Sequence, residues 1–165
     1  MADTEENDAT GAASALSALP AVSLWLVDGF NVLHAHLLKG RDRKDWWSAE
    51  RRQLVIEQAE RLAARGERVC VVFDGTRPAD QAESPEDALL RVVFAKDADG
   101  WMLKTMRAAA DPGGVAIVTG DRPVKDRARR WGAHAVSPRE WLARCAATPS
   151  GSATAAEVEA EPRSS

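Results

Sequence analysis

Asp28, Asp74, Asp99 and Asp121 are the residues with the most chemistry to offer, because each stands where an apolar run ends or where a helix begins just after one. Trp25-Leu26-Val27 runs into Asp28, Val71-Val72-Phe73 into Asp74, Val92-Val93-Phe94 precedes Asp99, and Ile117-Val118-Thr119-Gly120 ends at Asp121. If these runs are strands of one open parallel sheet, their carboxyl ends share an edge, and such sheets carry their sites at that edge. Carboxylates distant in sequence then converge on a small volume, where their mutual repulsion calls for a cation. Carboxylate oxygens suit Mg2+ or Mn2+, and a divalent ion so held can activate water and neutralise charge developing on a phosphodiester. Asn31, in Leu-Val-Asp-Gly-Phe-Asn, adds an amide able to orient a ligand or a water.

Each acid also has a simpler role open to it. Asp28-Gly29 and Asp74-Gly75 are turn pairs, the second more plainly so, which makes Asp74 a weaker ligand candidate than Asp28. Asp97 and Asp99 open a predicted helix, Asp121 precedes another that contains Pro123, and Asp126 lies near that helix's first turn; carboxylates at such places cap a helix or complement its dipole. What favours a shared site is that the first four strand ends on one edge are each followed by an acid. His34-Ala35-His36 resembles a fragment of a zinc site, but no third ligand stands at useful spacing. Trp46 and Trp47 adjoin a basic loop and either stack on bases or pack against a helix, packing being the simpler role. There is no GxGxxG and no GxxxxGK[ST], which argues against a bound dinucleotide or a P-loop nucleotide.

The elements that must position these residues read as alternating strands and helices, the pattern of βαβ units and a parallel α/β sheet. Strands are predicted at 23–27, 68–73, 89–94, 115–119 and 133–136. Helices are predicted at 31–38, 45–65, 97–110 and 123–131, with Gly66 and Gly132 as their stops after the second and fourth. Residues 40–44 form a basic loop, and 76–87, with two prolines, a loop near the proposed edge. Ser137-Pro138-Arg139-Glu140 combines a capping serine, a proline at the first helical position and a capping-box glutamate, so a last helix starts there.

The chain has 165 residues, 45% of them hydrophobic, enough for one domain with a core. Residues 1–20 and 146–165 are rich in Ala, Ser, Thr, Glu and Pro and lack the apolar surface to offset their ordering entropy; they are expected to be disordered tails around a domain at 21–145. The formal charge of −3 conceals a difference, since both tails are acidic and the domain between them is mildly basic. Its basic clusters, Lys39, Arg41, Arg43 and Lys44, then Lys125, Arg127, Arg129 and Arg130, suit a phosphodiester substrate, or are solvated helix faces. Cys70 and Cys145 form no CxxC pair and are read as free thiols of a reducing compartment. With an acidic N-terminus and no apolar stretch of spanning length, a cytoplasmic protein away from membranes is expected.

The ordered series Leu26-Val27-Asp28-Gly29-Phe30-Asn31-Val32, Val72-Phe73-Asp74-Gly75, Ala98-Asp99, Val118-Thr119-Gly120-Asp121-Arg122, Asp126 and Arg130-Trp131-Gly132-Ala133 resembles the YacP-like branch of the NYN domain family, which are PIN-like nucleases. The resemblance spans about Leu24 to Leu142. It implies a PIN-like three-layer α/β/α sandwich with a central parallel sheet of four to five strands, and metal-dependent cleavage of RNA. The family's first acid and its asparagine fall on Asp28 and Asn31, its helix-start acid on Asp99 and its fourth-strand acid on Asp121. Asp74 and Asp126 fall on further acidic positions. Many members carry a glutamate one helical turn after the Ala-Asp pair, where this chain has Leu103; Asp97 as a substitute, or a site with one ion, are the alternatives.

Two functions follow as expectations. One is an endoribonuclease in which Asp28, Asp99 and Asp121 hold Mg2+ or Mn2+, with Asp74, Asp97 and Asp126 as further candidate ligands, while Lys39, Arg41, Arg43, Lys44, Arg122, Lys125 and Arg129 hold the RNA backbone. The other, which Leu103 favours, is an RNA-binding or ribosome-associated module with a degenerate site. A haloacid-dehalogenase-type phosphatase is disfavoured, because Phe30 stands where its second aspartate belongs. RNA preference and oligomeric state are not legible in the sequence.

Overall fold

The computed structural model describes residues 22–37 and 48–147. The predicted tails, apart from Ala146 and Ala147, lie outside the described residues, as do Trp46, Trp47 and the basic loop with Lys39, Arg41, Arg43 and Lys44. Five parallel strands form one sheet: β1 (Leu24–Asp28), β2 (Val69–Asp74), β3 (Leu90–Ala95), β4 (Val115–Val118) and β5 (His134–Val136), in the order β3-β2-β1-β4-β5. The helices are α1 (Gly29–Val32), α2 (Ala49–Ala63), α3 (Ala98–Ala108), α4 (Arg122–Arg130) and α5 (Pro138–Ala146).

Alternation along the strands divides the core into two layers. Trp25, Val27, Val71 and Phe73 face one side and pack with Val32, Val55, Ala59, Leu62, Trp141 and Cys145 from α1, α2 and α5, and with Leu33 just after α1. Leu26, Cys70, Val72 and Ile117 face the other and pack with Met102, Leu103, Met106, Val124 and Ala128 from α3 and α4. The result is a three-layer α/β/α sandwich. Strands β1, β2 and β4 are nearly continuous apolar runs for that reason, since both their faces are covered by helices.

The chain begins in the middle of the sheet, moves outward to β3 and then returns to lay β4 against the other side of β1, with Val27 level with Val118. The order reverses between β1 and β4, and in open sheets a ligand crevice lies at the carboxyl ends of the strands flanking such a reversal. Asp28 and Asp121 follow the two strands concerned.

Several boundaries move for physical reasons. Helix starts fall where a side chain caps them: Asp28 before Gly29, Ser48 before Ala49, Asp97 before Ala98 and Asp121 before Arg122. The first helix therefore begins two residues earlier than predicted, and it continues as a wider π-helical turn over Leu33–Leu37. Ser137 Oγ accepts from Glu140 N at 3.1 Å, the serine's half of the capping box, and the Glu140 Oε1 accepts from the Ser137 hydroxyl at 2.9 Å. Gly66 and Gly132 end α2 and α4 with φ of 89° and 93°, the left-handed conformation expected of stopping residues. Gly29 opens the helix directly after β1, in the sharp turn expected of it, and has a second role there: a Cβ would collide with the Phe73 ring, so glycine lets the first turn of α1 settle against β2.

A candidate carboxylate site at the sheet edge

The sharp turn from β1 into α1 places Asp28 half-buried at the carboxyl edge, where its Oδ1 accepts from Asn31 N at 3.2 Å. Asn31 reaches across the strand-order reversal, and its Oδ1 accepts from Gly120 N at 2.8 Å. Because Gly120 N is a donor, the amide oxygen must face it, which leaves Nδ2 as the donor at the edge. Asp121 follows at once, with its Oδ1 accepting from Val124 N at 3.2 Å and its own N–H donating to Thr119 Oγ1 at 3.1 Å. Thr119 is fully buried, and this role for it was not read from the sequence. A threonine at a strand end looks like any other β-branched residue until its hydroxyl finds a neighbouring turn.

From β2, Asp74 Oδ1 accepts from Ala98 N at 2.8 Å and so fixes the start of α3. Asp97 caps the same helix through Gly100 N at 3.1 Å, and Asp99 sits half-buried in its first turn. The charges of Asp121, Asp97 and Asp74 all reach Asp99. Burial, more than any single neighbour, pushes the Asp28 carboxyl up from 3.8 to about 7; Asp99, Asp74 and Asp121 add to the rise, and the Asn31 N–H opposes it. The Asp99 carboxyl is raised by burial first, then by Asp121, Asp97 and Asp74. Burial is thus the main cause of both shifts, and neighbouring carboxylates add to it with no positive charge opposing them.

The structure thus brings together Asp28, Asp74, Asp97, Asp99, Asp121 and Asn31, from four separate parts of the chain. Asp126 stays apart: it lies on the exposed face of α4, paired with Arg129 at 3.7 Å, and does not contribute to the electrostatics of Asp28 or Asp99. Arg122 and Arg129 are exposed on that helix and Lys125 is half-exposed. Leu103, one turn beyond Asp99, is 3% exposed in the core layer with Met102 and Met106, facing away from solvent. His34 is half-buried in the π-helical turn.

Among the described residues no three His, Cys, Asp or Glu side chains are drawn up at metal-ligating separations. The fit to a divalent ion therefore rests on the donor chemistry. Carboxylate oxygens and one amide converge, and no lysine or arginine is among the charges acting on Asp28 or Asp99, the two carboxyls raised there. Hard oxygen donors of this kind suit Mg2+ or Mn2+.

The sequence matches the family described as the YacP-like NYN domain over residues 25–164. Among solved structures, Rae1 (YacP) from Bacillus subtilis is similar at 26% identity and a TM-score of 0.60, covering 86% of this chain and 80% of that one. A mutant form of the same protein aligns at 28% identity and a TM-score of 0.59, covering 75% of each chain. No curated protein matches this chain. No helix among the described residues is long and apolar enough to cross a membrane.

Proposed function

The chain belongs to the YacP-like NYN domain family, a family with a nuclease-type fold that acts on RNA, and from that premise we propose that it is a metal-dependent endoribonuclease cutting phosphodiester bonds at the carboxyl edge of its sheet. The observation that carries this reading is the convergence of Asp28, Asp74, Asp99 and Asp121, from four parts of the chain, on one edge of the sheet.

Asp28, Asp99 and Asp121 would hold Mg2+ or Mn2+, with Asp97 and Asp74 close by. Such an ion would polarise the phosphate and relieve the repulsion among the carboxylates. Without the ion, burial holds the Asp28 carboxyl up at about 7, so an ion bound there would displace its proton. Asn31 holds the β1 and β4 turns together through Gly120 and offers its Nδ2 to a phosphate oxygen or a water. Arg122 and Lys125, at the start of α4 beside Asp121, offer cations to the RNA backbone.

A second reading is an RNA-binding or ribosome-associated module with a degenerate site. Leu103 favours it, since the position one turn past Asp99 contributes a buried aliphatic side chain to the core. The two readings separate on cleavage of a mixed single-stranded and structured RNA in Mn2+, Mg2+ or EDTA. We expect divalent-dependent cutting that falls at least about a hundredfold in Asp28→Asn and drops in Asn31→Ala. RNA bound but never cut under any divalent ion would support the second reading, and cutting retained in Asp28→Asn would sink the first.

A further inference from the structure

Helix α4 carries five cations, Arg122, Lys125, Arg127, Arg129 and Arg130, against one acid, Asp126, and buries Val124 and Ala128. Arginines in a last turn complement the helix dipole, which accounts for three of these charges without any ligand. It does not account for the residue that follows. Trp131, the C-cap of α4, is 51% exposed, and its ring lies 5.3 Å from the Arg107 guanidinium of the last turn of α3. The Trp131 N–H donates to the carbonyls of Arg127 and Ala128 at 3.2 and 3.1 Å, so the indole is mounted on a hydrogen-bonded helix end. Leaving so large an apolar group in water forgoes the stabilisation that burial would give.

Both α3 and α4 start at the carboxyl edge and run back across the sheet, so their last turns lie together at the opposite end. The rise of α4 puts Trp131 about 15 Å from Asp121, a span of roughly four stacked nucleotides. Arg122, Lys125 and Arg129, at positions i, i+3 and i+7, share one face along the way. An exposed aromatic surrounded by cations of one sign suits a ligand that is both polyanionic and able to stack. Bases in a duplex are stacked on one another and closed to such a ring, whereas a single strand offers them.

We propose that Trp131, braced by Arg107, is a base-stacking platform for a single-stranded stretch of RNA whose phosphates follow α4 from the carboxylate edge. The platform rests on the ribonuclease reading and narrows its substrate to RNA with an unpaired segment a few nucleotides from the cut.

The test is binding in EDTA, where affinity is measured apart from cleavage, of a labelled oligoadenylate of roughly twelve nucleotides and of a blunt RNA duplex. Trp131→Ala should weaken the single strand about tenfold, leave the duplex within about twofold, and leave the melting temperature unchanged; Trp131→Phe should restore most of the affinity. Arg107→Gln should weaken both RNAs and lessen the salt dependence, as loss of one phosphate-directed charge does. An unchanged single-strand affinity in Trp131→Ala, or an equal loss on both RNAs, would overturn the platform and leave the nuclease reading standing, with a protein contact as the ring's remaining use. Wild-type protein that binds neither RNA would likewise overturn the platform, while the nuclease reading stands or falls on divalent-dependent cleavage.

Discussion

The two edges of the sheet use similar residues to opposite ends. At the amino edge charges are answered: Glu67 Oε1 accepts from Trp25 Nε1 at 3.0 Å and pairs with Arg144 at 3.4 Å, while Arg65 Nη2 donates to the carbonyls of Arg144 and Cys145 at 3.2 and 2.7 Å. Asp111 caps the short 3-10 turn before β4 there, accepting from Gly113 N at 3.1 Å. At the carboxyl edge Asp28, Asp97 and Asp121 make the same kind of cap, yet they gather with Asp74 and Asp99 into a cluster of one sign. Capping explains each aspartate locally and fails to explain their convergence. A fold selected only for stability would not concentrate repulsion on one edge, so the contrast marks where stability yields to chemistry.

The largest effect that sharpens this contrast is expected from Asp28→Asn. The folded-state pKa of Asp28 lies above its ordinary value, so between about 4 and about 7 the folded chain keeps a proton that the unfolded chain has released. Stability without metal is therefore highest below that window and falls as pH rises through it. Asparagine removes the penalty, and denaturant unfolding above the window should show Asp28→Asn more stable than wild type by up to about 4 kcal/mol, with a flatter pH profile. A variant less stable than wild type there would break the comparison.

At the amino edge the sign reverses. Glu67→Ala leaves the Trp25 indole N–H and the Arg144 guanidinium short of a partner, and thermal or chemical unfolding should show a loss of about 2 kcal/mol with RNA cleavage intact. The smallest effect belongs to Asp126→Asn, which breaks an exposed pair with Arg129; stability should change by less than about 0.5 kcal/mol and cleavage little, because Asp126 lies outside the cluster.

The sequence carried the architecture because helices on both faces make the strands β1, β2 and β4 nearly continuous apolar runs, and punctuation at Gly66, Gly132 and Ser137 marks helix ends by backbone geometry and capping chemistry. Asp28, Asp99 and Asp121 were legible for the same reason, since parallel strands bring their carboxyl ends together. Three things were not. Asp126 falls in the family's motif, but helical phase turns it to solvent. The Asn31–Gly120 bond joins turns 89 residues apart, and no local pattern announces such a contact. Trp131 was read only as a motif residue, because whether a helix-end tryptophan is buried depends on what packs beside it.

The central claim is that the carboxyl-edge cluster binds a divalent cation, and calorimetric titration of the protein with Mn2+ near neutral pH tests it without reference to activity. The account predicts binding with proton release, weakened at least about tenfold by Asp28→Asn or Asp121→Asn and unchanged by Asp111→Asn, the same kind of cap on the other edge. Absence of binding in the wild-type chain, or equal binding in all three variants, would contradict it.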